Sequence, residues 1–191
     1  MKEIKDTYFD ETLDGFIPVV PGVYPAHVVG VETRDFESGN TVFNVTFQMA
    51  DECKNITVPR LTSDGNGGYT DVLDDKGNPT KIDAGYLSGK KFRSQGVWLT
   101  PRPNKGEGWR NRNYKEFFAG LGIIFEENDG KVKLGFVEED DVLGMPTLVK
   151  LGEETYEKDG ESRKAIRIFS CYPWNDGTKL KADEIGNDVP F

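Results

Sequence analysis

From Thr41 to Met49 the chain alternates with the period of a pleated strand. Thr41, Phe43, Val45, Phe47 and Met49 fall on one face and Asn44, Thr46 and Gln48 on the other. A helical period cannot gather these apolar side chains on one side, so the stretch predicts a half-buried antiparallel strand with Val42 as its one apolar exception. Just upstream, Val23 to Glu32 is β-branched and continuous, and Ser38-Gly39-Asn40 supplies residues that tolerate positive φ at a turn. Together these two stretches read as a hairpin. Its phase makes Tyr24 and Phe43 core residues.

The rest of the chain extends the pattern. A short strand is expected around Ile56 to Leu61, followed by a Gly-, Asp- and Asn-rich insertion near 63–85 that forms a loop or a small hairpin around Lys76-Gly77-Asn78-Pro79. Lys90 to Thr100 is the third main strand, interrupted by Gly96. A bulge there turns Phe92, Val97 and Leu99 inward and leaves Lys91, Arg93, Gln95 and Trp98 outside, whereas a regular strand pairs Trp98 with Phe92. Pro101 to Asn113 reads as a basic loop, and Tyr114 to Gly122 as a short helix that packs Phe117, Phe118 and Leu121 on the sheet. A small strand follows over Lys131 to Val137. Thr147 to Tyr156 and Arg163 to Tyr172 then form a second hairpin about Lys158-Asp159-Gly160-Glu161. Three strands, a helix and two strands is the ordering of the OB-fold, although other β barrels give a similar string. The expected architecture is all-β with a short helix: a five-stranded OB-fold Greek-key barrel over residues 22–172 with loop insertions. An extended N-terminal arm over 1–21 precedes it, and an acidic flexible tail over 173–191 leaves the core after Pro173.

Composition limits the chemistry. A chain of 191 residues suits one domain with a real core. No apolar run approaches ~18 residues, and Met1 to Asp6 lacks the pattern of a signal peptide, so a soluble cytoplasmic protein with no membrane partner is expected. Cys53 and Cys171 lie far apart and His27 is the only histidine, which argues against a disulfide framework or a zinc site and for packing roles. No nucleophile constellation or nucleotide-binding P-loop is present, and Gly65-Asn66-Gly67-Gly68 lacks the Lys-Ser/Thr and helix that a phosphate loop needs. Glu138 to Asp141 could be imagined as a nuclease metal cluster, but consecutive acids seldom converge on one ion and a solvated turn or helix start fits better. No catalytic residue, metal or cofactor is expected.

Charge is distributed unevenly. The net charge is −9, yet Lys90 to Lys115 holds eight basic residues against the single acid Glu107, a local +7 that leaves −16 on the remainder. Such a field focuses a polyanion at one place and repels it elsewhere. Within the strip, Trp98, Trp109 and Tyr114 interleave with Lys91, Arg93, Arg102, Lys105, Arg110 and Arg112. Flat rings stack on unpaired bases and cations follow phosphates, with no base-specific hydrogen bond required. Duplex DNA hides those base faces, so these nine residues are the expected site for single-stranded nucleic acid. The competing reading makes Trp98 core and the arginines loop solubilisers.

The chain closes on Asp188-Val189-Pro190-Phe191 after Asp183 and Glu184. An apolar ring carrying its own carboxylate can plug a partner's pocket with a basic rim, and the plain alternative is a frayed acidic end. This ending resembles the Asp-Ile-Pro-Phe terminus of bacterial single-stranded DNA-binding proteins, with Val189 in place of Ile and a sparser acidic run. The body is similar to phage-encoded single-stranded DNA-binding proteins in Gly144-Met145-Pro146-Thr147-Leu148-Val149-Lys150-Leu151, the hairpin with Tyr156, and Ile166-Arg167-Ile168. The resemblance implies a non-catalytic protein that coats single-stranded DNA in phage replication, recombination or repair, in the host cytoplasm. It also implies recruitment of a polymerase, primase, helicase or recombinase through Asp183, Glu184, Asp188, Val189, Pro190 and Phe191. The alternative is an acidic β-rich phage accessory or structural protein-interaction factor whose basic loop docks another protein.

Overall fold

A computed structural model describes residues 17–65, 68–181 and 184–185. Strands β1 (Gly22–Asp35) and β2 (Thr41–Met49) form the expected hairpin. In β2 the five alternating residues are all buried and Asn44, Thr46 and Gln48 are half-exposed. Val29 is an extra residue in β1, bulged between the pairs Val28–Phe47 and Gly30–Thr46.

An extension is built onto the barrel between β2 and the next barrel strand. A 3-10 turn over Asp51–Asn55 leads to β3 (Thr57–Pro59) and β4 (Leu61–Ser63), which pair with β6 (Lys81–Asp83) and β5 (Tyr69–Asp71) respectively. The strand expected over 56–61 is thus two pieces, broken at Arg60, whose N–H donates to the Thr80 carbonyl. Asp74 closes the tip by accepting from the backbone N–H groups of Lys76 and Asn78 at 2.9 and 2.8 Å, the small turn foreseen around residues 76–79. Cys53, Val58, Ala84 and Leu87 bury the base of the extension in the common core.

The third barrel strand is split into β7 (Lys91–Arg93) and β8 (Val97–Leu99), both paired with β2. Arg93 faces Thr46 and Val97 faces Phe43, so four steps on one strand match three on the other. That is the bulge expected near Gly96. Phe92, Val97 and Leu99 accordingly pack on the core. A side chain at Gly96 would place its Cβ 2.8 Å from Val42 Cγ2. This outward-facing Val42, buried beside its register partner Trp98, explains the exception in the alternation.

Helix α1 (Gly108–Gly120) follows, then the hairpin of β9 (Glu126–Asn128) and β10 (Lys131–Lys133), the short helix α2 (Glu139–Val142), and the long strands β11 (Pro146–Lys158) and β12 (Glu161–Tyr172). Asp159 and Gly160, with φ of 56° and 78°, turn β11 into β12 as the two-residue hairpin loops do. β11 pairs with both β1 and β12, giving the order β12-β11-β1-β2-β7, with β8 also on β2. A parallel bridge between Ser94 and Ile168, with Gln95 N–H donating to the Ile168 carbonyl at 2.9 Å, brings the ends together. The result is a nearly closed five-stranded antiparallel barrel with a short helix between its third and fourth strands, an OB-type architecture.

α1 closes one end of the barrel. Tyr114, Phe117, Phe118 and Leu121 recur at helical spacing, all are buried, and Phe118 and Tyr114 meet the Phe43 ring at 5.5 and 5.3 Å. The acidic run before β11 is structural: Glu138 and Asp141 form a capping box on α2, and Glu139 accepts from the Val31 N–H at 3.1 Å. The chain does not leave the body at Pro173. Trp174 packs on His27 with ring centroids 5.5 Å apart, His27 Nε2 lies 3.0 Å from the Thr178 carbonyl, and Leu180 N–H donates to the Gly144 carbonyl at 3.0 Å. The two cysteines are buried free thiols, and burial pushes Cys53 up to about 11.

Candidate nucleic-acid interface

The basic strip runs from β7 across β8 into the first turns of α1. The helix begins six residues earlier than its apolar pattern announces, at Gly108 rather than Tyr114. Its opening residues, including Gly108, Asn111 and Asn113, are weak helix formers, so the contacts of Glu107 supply the start. Glu107 accepts from the Asn104 N–H through its carboxylate at 2.9 Å and from the Arg110 N–H through its carbonyl at 3.0 Å. Asn111 reaches back and bonds both backbone groups of Thr100, accepting from its N–H and donating to its carbonyl, each at 2.8 Å. The loop Pro101 to Glu107 is therefore clamped at its base. It holds Arg102 and Lys105 out in solvent.

These contacts sort the nine expected residues. Trp109 is 59% exposed, and Arg102, Lys105 and Arg112 are exposed with no acid in ion-pair reach among the described residues. Those four lie within residues 102–112, on the clamped loop and the first two turns of α1. Trp98 is half-buried on the outer face of β8, where the Phe36 ring lies 5.1 Å away and the Arg110 guanidinium 5.3 Å away. Arg110 also lies over Trp109 at 5.8 Å and ion-pairs with Glu107 at 3.1 Å. Arg93 is ion-paired with Glu32, and Lys91 is half-buried beside it on β7.

Tyr114 requires a correction. It was expected to face nucleic acid, but its ring is fully buried against Phe43, Phe118 and Phe125. Its hydroxyl donates to the Gly135 carbonyl at 2.9 Å and accepts from the Val137 N–H at 3.1 Å. Burial pushes its phenol up to about 12, against the opposing pull of the Val137 hydrogen bond. Falling at the start of the apolar helical stripe, it takes the core role that its spacing from Phe117, Phe118 and Leu121 dictates.

Two residues belong to this surface that the sequence reading passed over. Arg34 lies over the Phe36 ring at 5.0 Å, and Phe36 in turn packs on Trp98. The available signal was Arg34-Asp35-Phe36 immediately before the turn joining the first two barrel strands. Cations and rings thus continue as Arg34, Phe36, Trp98, Arg110 and Trp109 along one side of the barrel.

Of the tail residues expected to meet a partner, Glu184 is described and bonds the Lys181 N–H at 2.8 Å. Asp183, Asp188, Val189, Pro190 and Phe191 lie outside the described residues. Among the described residues no group of three or more His, Cys, Asp or Glu side chains is disposed to hold a metal ion. The surface can stack and neutralise. Compared with family models and with curated proteins, the chain matches none.

Proposed function

We propose that this protein binds single-stranded DNA with little sequence preference, without catalysis, and serves phage replication, recombination or repair in the host cytoplasm. One observation carries the reading: an OB-type barrel in an acidic chain presents an exposed indole, Trp109, beside three exposed cations, Arg102, Lys105 and Arg112, that no acid among the described residues pairs. An indole accepts any unpaired base, and three phosphate contacts make binding strongly salt-dependent. The terminal Asp183 to Phe191 segment is the proposed docking peptide for a polymerase, primase, helicase or recombinase.

Anisotropy of labelled single-stranded DNA, duplex DNA and RNA, titrated at two salt concentrations, tests this reading. Single strands should bind far more tightly than duplex, with affinity falling as salt rises. Absence of single-strand binding at low salt would reject it in favour of a protein-interaction factor.

A further inference from the structure

The Arg110 side chain makes an incomplete set of contacts. Its Nη1 is paired with Glu107, its guanidinium covers both Trp98 and Trp109, and its Nε–H is buried with no acceptor among the described residues. A buried donor without an acceptor is costly, and the contact that holds the side chain there is a single-oxygen bridge, at 3.1 Å, between groups that are each more than a quarter exposed. The guanidinium lies 5.3 and 5.8 Å from the two indole centroids, close enough to compete with an incoming nucleobase for those rings.

We infer that Trp98, Trp109 and Arg110 form a single-nucleotide subsite that Arg110 occupies in the free protein, resting on the single-strand-binding function proposed above. When a strand enters, its base replaces the guanidinium over the indoles. Arg110 then passes from the Glu107 carboxylate to the phosphate of that nucleotide, which also provides the missing acceptor for Nε. No covalent bond changes and no proton moves. The exchange makes Glu107 a competitor of the phosphate, while the remainder of the Trp109 ring, 59% exposed, stays open to the incoming base. The ligand is any unpaired nucleotide, because the groups at the subsite read a ring face and an anionic oxygen.

The test is a double-mutant cycle over E107Q and R110Q in the full chain, read by oligo-dT affinity across a salt series. Exchange predicts that R110Q lowers the slope of log affinity against log salt by about 0.7, the contribution of one phosphate contact on a single strand. It also predicts that E107Q binds up to about fivefold more tightly, since a partly exposed ion pair no longer has to break, and that this gain vanishes in the R110Q background. R110K should restore the slope. If R110Q leaves the slope unchanged, or if the E107Q gain survives in the R110Q background as a plain charge effect, Arg110 stays on Glu107 and the subsite is wrong while single-strand binding stands. If the wild-type protein binds no oligo-dT, both inferences fail together.

Discussion

Replacing Tyr114 by Phe separates a core role from a binding role. The substitution keeps the ring contacts to Phe43, Phe118 and Phe125 and deletes one oxygen. The Gly135 carbonyl belongs to an exposed residue and can turn to water, but the Val137 N–H is buried and loses its acceptor. A stranded donor of this kind costs about 1–3 kcal/mol. For a protein of this size the midpoint of thermal unfolding should fall by roughly 2–4 °C for each kcal/mol lost. The alkaline limb sharpens the test. The phenol of Tyr114 sits at about 12 in the folded protein against 10.0 when free, so its stabilisation is complete below pH 10 and is lost as pH rises from 10 to 12. At 1.36 kcal/mol per unit, wild type should lose about 3 kcal/mol over that window through this group, and Tyr114→Phe should not. Urea unfolding measured from pH 8 upward should therefore show a neutral-pH gap between the two proteins that closes near pH 12. Oligo-dT affinity at neutral pH should be equal for both. A variant of wild-type stability that binds DNA markedly less tightly would refute the placement of this ring in the core.

Asn111→Ala removes the clamp on Thr100, and hydrogen exchange at the Thr100 amide should quicken by roughly 5- to 150-fold, equivalent to about 1–3 kcal/mol. Exchange at the wild-type rate would mean that the clamp does not hold the loop. Gly120→Ala forces a Cβ to within 2.2 Å of the Cys171 carbonyl oxygen, so its urea midpoint should drop by the equivalent of at least ~1–3 kcal/mol. Gly108→Ala, whose Cβ meets nothing among the described residues within 4 Å, should be neutral or slightly stabilising; equal effects would contradict the close approach of α1 and β12. Deleting residues 183–191 should leave DNA affinity unchanged or higher while abolishing stimulation of a partner enzyme. A large loss of DNA affinity would assign the tail to the DNA site instead.

The barrel was legible wherever one residue's chemistry decides its side of a strand. The alternation from Thr41 to Met49, the interruption at Gly96 and the turn at Asp159-Gly160 each specify a local geometry that no neighbour needs to complete. What escaped depends on contacts distant in sequence. The start of α1 rests on bonds from Glu107 and Asn111 to the preceding loop, which override weak propensity. Residues 173–180 look like a departing tail because their composition is polar, yet His27 and the Gly144 carbonyl hold them to the barrel. The cationic strip was visible as a charge excess, but pairing across the surface sorts its members. Glu32 engages Arg93, Glu107 engages Arg110, and Arg102, Lys105 and Arg112 remain exposed. Phe36 and Arg34 were missed because a turn residue and a strand-end arginine join the indoles only once β8 is laid against β2.

The central claim is that an unpaired base stacks on Trp109, and the affinity of Trp109→Ala for oligo-dT tests it most directly. The account predicts binding weakened by roughly 5- to 150-fold, the loss of about 1–3 kcal/mol of stacking, with an unchanged salt dependence and wild-type thermal stability. Wild-type affinity in this variant would contradict it.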